Sequence, residues 1–120
     1  EIIDYFPSCT VYCSEYAYEG LYSDKLNLSF YHLNPIVFKG KSVNFIYNSM
    51  SIKLYNNYYL KVLETKGHNK GSLSFIVNEG IFTGDSLIPG NSVVTKLKSG
   101  NKIDAKKTPT YPCRAVLPTL

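Results

Sequence analysis

The sequence contains no apolar run approaching the roughly 18 consecutive residues that a membrane-spanning helix requires, so it does not predict a membrane protein. The N-terminus lacks a basic region followed by an apolar one, since Glu1 and Asp4 are acidic, and no secretory signal peptide is predicted. Tryptophan, internal repeats and low-complexity tracts are also absent. Together these absences favour a cytoplasmic protein that has no membrane partner.

Cysteine is scarce and odd in number, because the chain has only Cys9, Cys13 and Cys113. An odd count without a secretory signal favours reduced thiols over a disulfide framework. Cys9 and Cys13 have no nearby Cys or His partners at the spacing of a zinc site. We therefore interpret the cysteines as small apolar packing residues rather than ligands.

The chain has 120 residues, of which 44% are hydrophobic, and a net charge of +4. This size suffices for one compact domain with its own core. The basic excess is concentrated late, at Lys96, Lys98, Lys102, Lys106, Lys107 and Arg114. A basic segment of this kind can attract phosphate or nucleic acid, but it is more often a solvated surface, so a nucleic-acid partner is not favoured.

The central part of the chain predicts a series of antiparallel β-hairpins. Some segments alternate apolar and polar residues, and others are continuous apolar runs. Turn residues such as Asn56-Asn57 and Asn78-Glu79-Gly80 separate them. The predicted strands are 10–13, 42–46, 50–54, 58–65, 73–77, 81–83 and 93–97. The fold class is therefore α/β (α+β), mostly antiparallel hairpins with one or two helices.

One helix is predicted after Ser14, which is a suitable N-cap followed by acidic residues, and Gly20 lies near its end. Residues 103–107 predict the beginning of a second helix. Pro109, Pro112 and Pro118 then exclude a regular helix through the C-terminus. We predict a domain over residues 1–100 and an irregular or non-native tail over residues 101–120.

Two residues with metal-binding chemistry follow predicted strands. His68 lies in the loop TKGHNKGS (residues 65–72), between glycines, and Asp85 follows the strand in FTGDSLI (residues 82–88). Loops at strand ends commonly carry chemistry because the sheet positions them rigidly. Taken singly, a loop histidine is usually just exposed or hydrogen-bonded, and Gly-Asp is a common turn.

Together and in this order, the two segments resemble the T-P-G-H-T-x-G-S and F-T-G-D-x-L-F motifs of the metallo-β-lactamase superfamily. Lys66 stands where the family has proline, and Asn69 where it has threonine. The resemblance extends over about residues 1–98, although its specific motifs occupy only residues 65–72 and 82–87. It implies part of an αββα sandwich with metals at one edge, between two sheets.

The resemblance implies that His68 ligates one metal and that Asp85 ligates or bridges a metal pair. Gly67 and Gly71 would shape the histidine loop, and Gly84 would allow a close approach around Asp85. Imidazole and carboxylate suit Zn²⁺, the expected cofactor, with iron or manganese as alternatives. Two such ions are expected in an intact family member.

The family's main H-x-H-x-D-H motif and its final histidine ligand have no counterpart in this sequence. The other histidine, His32, has no partner at metal-ligand spacing and is interpreted as a structural or surface residue. We therefore expect the chain to be a fragment holding an incomplete site, with weak or no activity alone.

The sequence is compatible with three functions. The first is a fragment of a metal-dependent hydrolase that acts on an ester, thioester, lactone or phosphoester, with Lys96 as a candidate substrate contact. The second is a non-catalytic module of the same fold that binds a protein partner. The third, less favoured, is nucleic-acid binding. An incomplete sandwich also predicts an uncovered apolar sheet face and self-association through it.

Overall fold

The computed structural model describes residues 2–40, 42–88 and 90–108. The chain divides into two compact units, Glu1–Tyr47 and Asn48–Leu120. Each unit has its own sheet, so each is described separately. None of the described residues forms a helix that is both long and apolar enough to cross a membrane.

The N-terminal unit combines short helices with a two-stranded parallel sheet. Its elements are α1 (Ile2–Tyr5), β1 (Val11–Cys13), a 3₁₀ helix (Glu15–Ala17), α2 (Tyr18–Leu21), a 3₁₀ helix (Ser29–Tyr31) and β2 (Val43–Phe45). Strand β1 pairs with β2 in parallel, with Val11 opposite Val43 and Cys13 opposite Phe45. The predicted strands at 10–13 and 42–46 are both confirmed.

The first helical segment begins where the sequence predicts it. The Ser14 side chain accepts a hydrogen bond from the Ala17 N–H at 3.3 Å and so satisfies one of the free amides of the first turn. The first turn is 3₁₀ and continues as α2. The ring of Tyr18 then packs edge-to-face on Tyr22 and Phe45, at centroid distances of 5.2 and 5.3 Å. Several of the chain's aromatic residues thus pack within this unit.

Cys9 and Cys13 are free thiols in this unit, as the sequence predicts. Cys13 lies in β1 and is 8% exposed. This burial raises the pKa of the Cys13 thiol because it disfavours the thiolate. Cys13 is therefore a packing residue of low reactivity. Cys113 lies outside the described residues.

The C-terminal unit is built on a four-stranded antiparallel sheet in the order β3-β4-β5-β6. Its elements are β3 (Ser51–Tyr55), β4 (Tyr58–Glu64), β5 (Leu73–Val77), β6 (Gly80–Phe82), a 3₁₀ helix (Gly84–Ser86) and α3 (Lys102–Lys107). Asn56 and Asn78, in the two tight turns, adopt φ of 48° and 53°. Asparagine tolerates this left-handed region better than most residues, so the asparagines allowed both turns to be predicted from the sequence.

The core of this unit lies near the end of β4. Val62 is fully buried and Leu63 is 8% exposed, although their side chains point to opposite faces of the sheet. On the two edge strands, Leu54 of β3 and Phe82 of β6 are 52% and 66% exposed. Apolar surface is thus uncovered on this sheet, and self-association through it stays a prediction.

The segment 93–97 differs from the prediction. The predicted strand at 93–97 is wrong, because these residues form no strand; the Val94 carbonyl bonds to a side chain instead of to a neighbouring strand. The described residues contain three short α-helices, in agreement with the few helices that the predicted fold class has. Helix α3 confirms the helix predicted at 103–107, while residues 109–120 of the predicted tail lie outside the described residues.

Candidate metal site

The His68 loop is closed by its own hydrogen bonds. The backbone N–H of Thr65 donates to the Ser72 carbonyl at 3.0 Å, which continues the β4–β5 pairing into the loop. Within the loop, the Asn69 Oδ1 accepts from the Gly71 N–H at 2.7 Å, and the Asn69 N–H donates to the Ser72 Oγ at 3.2 Å. Asn69, which replaces the threonine of the resembled motif, therefore orders the loop through a side-chain turn.

Lys66, which replaces the proline of that motif, pairs with Glu64 at 2.8 Å. The hydrogen bond and charge of Glu64 hold the pKa of Lys66 above its usual value. Whatever stability this pair contributes is present below the unfolded lysine pKa of about 10.5 and is lost as the pH rises through the folded value. The side chains are 50% and 35% exposed, so this contribution is small.

Gly67 is the point where the loop meets helix α3. Its φ is 145°, a conformation that L-residues rarely adopt. A Cβ at this position would lie 2.5 Å from the Ala105 Cα and 2.7 Å from the Ala105 N. Glycine is therefore required both by the backbone conformation and by the contact, which agrees with a loop-shaping role.

Asp85 lies in the 3₁₀ helix that follows β6. The Thr83 hydroxyl donates to the Leu87 carbonyl at 2.9 Å, which closes the backbone around Asp85. Gly84 has φ of 50°, but a Cβ there would meet no heavy atom within 4 Å. Its left-handed backbone is therefore a reason for a glycine at this position, and a close approach around Asp85 stays a prediction.

A buried hydroxyl network joins the two loops. The Thr65 Oγ1 donates to the Ser86 Oγ at 2.9 Å, and the Ser86 Oγ donates to the Thr65 carbonyl at 3.0 Å. The Thr65 proton is thereby used, so in the 2.9 Å contact between Ser74 and Thr65 the Ser74 Oγ is the donor. Ser86 directly follows Asp85, and Thr65 begins the His68 loop, so this network fixes the His68 loop against the turn that carries Asp85.

The role of this network was not predicted from the sequence. Its three residues are buried: Thr65 is 4% exposed, Ser74 0% and Ser86 6%. A serine inside the apolar strand LSFIV (residues 73–77) was the available signal, because a buried hydroxyl needs a partner.

Substituting Ser86 tests the network. We expect Ser86→Ala to lower the free energy of unfolding by about 1–3 kcal/mol, since it leaves the buried Thr65 hydroxyl and carbonyl without this partner. Ser51, on the exposed face of edge strand β3, provides a matched control, and Ser51→Ala should stay within about 0.5 kcal/mol. Urea denaturation followed by circular dichroism measures both. Equal effects of the two substitutions would contradict the network.

The structure brings His68 and Asp85 together. The His68 Nε2 lies 3.5 Å from the Asp85 Oδ2, and the side chains are 19% and 69% exposed. The His68 Nδ1 lies 2.8 Å from the Val94 carbonyl oxygen, which can only accept a hydrogen bond. The Asp85 carboxylate also accepts, but at 3.5 Å it lies beyond the usual hydrogen-bond distance, whereas the Val94 carbonyl lies within it. The ring proton of neutral His68 therefore belongs on Nδ1, and the Nε2 lone pair faces the carboxylate.

This geometry fits two ligands of one metal ion. Nitrogen and oxygen ligands at about 2.0–2.1 Å from a tetrahedral ion lie about 3.4 Å apart, close to the separation of Nε2 and Oδ2. A backbone carbonyl on the other ring nitrogen is one of the usual partners of a metal-binding histidine. The residues present thus fit a metal ion as two members of its ligand set.

A full ligand set is not found within the described residues, where no group of three or more His, Cys, Asp or Glu side chains is arranged to hold a metal ion. Catalytic zinc sites usually use three protein ligands. His32 is exposed at the end of its 3₁₀ helix, in the N-terminal unit. Lys96 is exposed two residues beyond Val94, and its role as a substrate contact stays a prediction.

Comparison with known structures identifies the fold. BLEG-1, a B3 metallo-β-lactamase, is 24% identical, with a TM-score of 0.77; the match covers 89% of this chain and 52% of that one. TTHA1623 in a di-iron-bound form is 17% identical, with a TM-score of 0.68, and the match covers 89% and 52%. For ST1585, a metallo-β-lactamase superfamily protein from Sulfolobus tokodaii, the identity is 19%, the TM-score 0.66 and the coverage 89% and 48%.

The chain therefore has a metallo-β-lactamase-type fold, and it spans about half the length of the solved structures that it matches. The fold implied by the two sequence motifs is confirmed. No family model and no curated protein matches the sequence.

Proposed function

We propose that this chain is part of a metal-dependent hydrolase domain and contributes His68 and Asp85 to its metal site. The observation that carries the proposal is the 3.5 Å separation of the His68 Nε2 and the Asp85 Oδ2, with the His68 Nδ1 held by the Val94 carbonyl. The substrate class is an ester, thioester, lactone or phosphoester. The di-iron form of TTHA1623 supports metal binding in this fold.

The two side chains have different roles in this proposal. His68 contributes a neutral nitrogen whose lone pair is free because the Val94 carbonyl keeps the ring proton on the other nitrogen. Asp85 contributes negative charge at an exposed position, where it is accessible to an ion and to a substrate. A Zn²⁺ ion held by these residues would lower the pKa of a bound water molecule, which would provide a nucleophile at neutral pH, and would polarise the substrate oxygen.

Zinc binding by the 120-residue chain tests this proposal. We expect equilibrium dialysis to detect Zn²⁺ binding that falls to background in the double variant His68→Ala, Asp85→Ala, since that variant removes both ligands. His32→Ala is the matched control, because it removes the other histidine of the chain, which is exposed and lies in the N-terminal unit. Circular dichroism should show that all three proteins are folded.

Binding that survives the double variant would refute the proposed site. The same proteins, loaded with Zn²⁺, can be assayed on ester and phosphoester substrates. Two protein ligands are fewer than a catalytic zinc site uses, so we expect no hydrolysis above that of Zn²⁺ in buffer. A partner-binding module without a metal site would show no hydrolysis. It would also show the same zinc binding in the wild type and in the double variant.

A further inference from the structure

Three consecutive residues of the ligand loop are held by one later segment, residues 94–108. The His68 Nδ1 bonds to the Val94 carbonyl at 2.8 Å. The Gly67 carbonyl accepts from the Asn101 N–H at 2.8 Å, and the Lys66 carbonyl accepts from the Thr108 hydroxyl at 2.9 Å. The loop is therefore fixed from outside at the histidine itself and at the two residues that precede it.

Helix α3, within this segment, is short, and contacts at its two ends stabilise it. A helix of six residues is not stable in isolation because nucleation is costly. At its start, the Asn101 Oδ1 accepts hydrogen bonds from the N–H groups of Ile103 and Asp104, at 2.8 and 3.2 Å. In its middle, Ala105 packs against Gly67 so closely that a Cβ on Gly67 would overlap it. The helix and the loop thus stabilise each other.

Thr108 ties the other end of the helix to the loop. Its backbone N–H donates to the Asp104 carbonyl at 3.0 Å, as expected at a helix end. Its hydroxyl lies 3.3 Å from that same carbonyl but only 2.9 Å from the Lys66 carbonyl. The shorter contact is therefore with the loop, two residues before His68, and not within the helix.

We infer that Thr108, with Asn101, is a positioning residue for the metal ligand His68: it holds the loop where Nδ1 reaches Val94 and Nε2 faces Asp85. This inference rests on the proposed function in treating His68 as a ligand. The positioning itself concerns the metal-free chain, because every contact involved lies within the protein. In metal sites generally, loss of a group that orients a ligand weakens metal affinity by about 10–100-fold.

The test compares Thr108→Val, which keeps the shape and removes the donor, with Thr108→Ser, which keeps the donor. Long-range ¹H–¹⁵N NMR of the full metal-free chain reports which nitrogen of His68 carries the proton. We expect the protonated-Nδ1 form in the wild type and in Thr108→Ser, and a mixture of both forms in Thr108→Val. Zinc affinity should fall about tenfold in Thr108→Val and be restored in Thr108→Ser.

Lys106→Ala, an exposed change in the same helix, is the control for a general effect on α3. The inference is overturned if Thr108→Val matches the wild type in both measurements, or if Lys106→Ala produces the same changes. If Thr108→Val does not fold, Asn101→Ala and Asn101→Ser form a second pair, because serine retains an N-capping oxygen. The same two results then decide.

The NMR readout separates this inference from the proposed function. A wild-type chain that does not bind zinc, but whose His68 proton redistributes in Thr108→Val, refutes the metal site and supports the positioning role. The opposite result is also distinguishable. If the wild type binds zinc through His68, and Thr108→Val changes neither the zinc affinity nor the position of the His68 proton, the metal site is supported and the positioning role is refuted.

Discussion

Replacing Gly67 with alanine is expected to lower the free energy of unfolding by about 2–4 kcal/mol, the largest stability effect predicted for the site. Two causes add. The φ of 145° is strained for any residue with a Cβ. The added Cβ would also lie 2.5–2.7 Å from the Cα, Cβ and N of Ala105. Two of these atoms are backbone, so no side-chain rotation relieves the contact and the loop or helix α3 has to move.

Gly84→Ala is the matched control for this prediction. Gly84 directly precedes Asp85 and also has a positive φ, of 50°, but a Cβ there meets no heavy atom within 4 Å. It should cost about 1–2 kcal/mol, the usual penalty of a left-handed conformation. Urea denaturation followed by circular dichroism measures both variants. A cost at Gly67 no greater than that at Gly84 would show that the loop does not contact α3 as described.

The hairpins of the C-terminal unit were predictable because their signals are local. Apolar alternation defined strands such as Leu73–Val77, and asparagines marked the turns between them. The parallel pairing of β1 with β2 joins residues about thirty positions apart, as Val11 pairs with Val43, and no local pattern encodes it. Residues 93–97 had the composition of a strand, but strand formation also requires a neighbouring strand.

The candidate site was predictable only in its side chains of distinctive chemistry. His68 and Asp85 were found because their motifs resemble those of a known superfamily, and the structure places them together. Val94 could not be found, because its contribution is a backbone carbonyl that any residue supplies. The hydroxyl network and the contact of Gly67 with Ala105 depend on residues brought together from distant positions, so their roles appear only in three dimensions.

The second large effect concerns metal binding by His68. We expect His68→Ala alone to lower zinc affinity on the order of 100-fold, because it removes the nitrogen ligand and leaves a single carboxylate. Asp85→Asn should have a smaller effect, since the amide oxygen remains a weak ligand although the charge is lost. Isothermal titration calorimetry of both variants, with His32→Ala as control, gives this order. The reverse order would mean that the carboxylate, and not the imidazole, dominates the site.

We propose that the Nε2 of His68 is oriented toward Asp85 to bind a metal ion. The chain has two histidines, so long-range ¹H–¹⁵N NMR resolves each imidazole during a zinc titration. The His68 Nε2 resonance should shift on zinc binding while Nδ1 keeps its proton, because Val94 holds it. The resonances of His32 should not change. A His68 Nε2 resonance that does not respond to zinc, or a response confined to His32, would contradict the account.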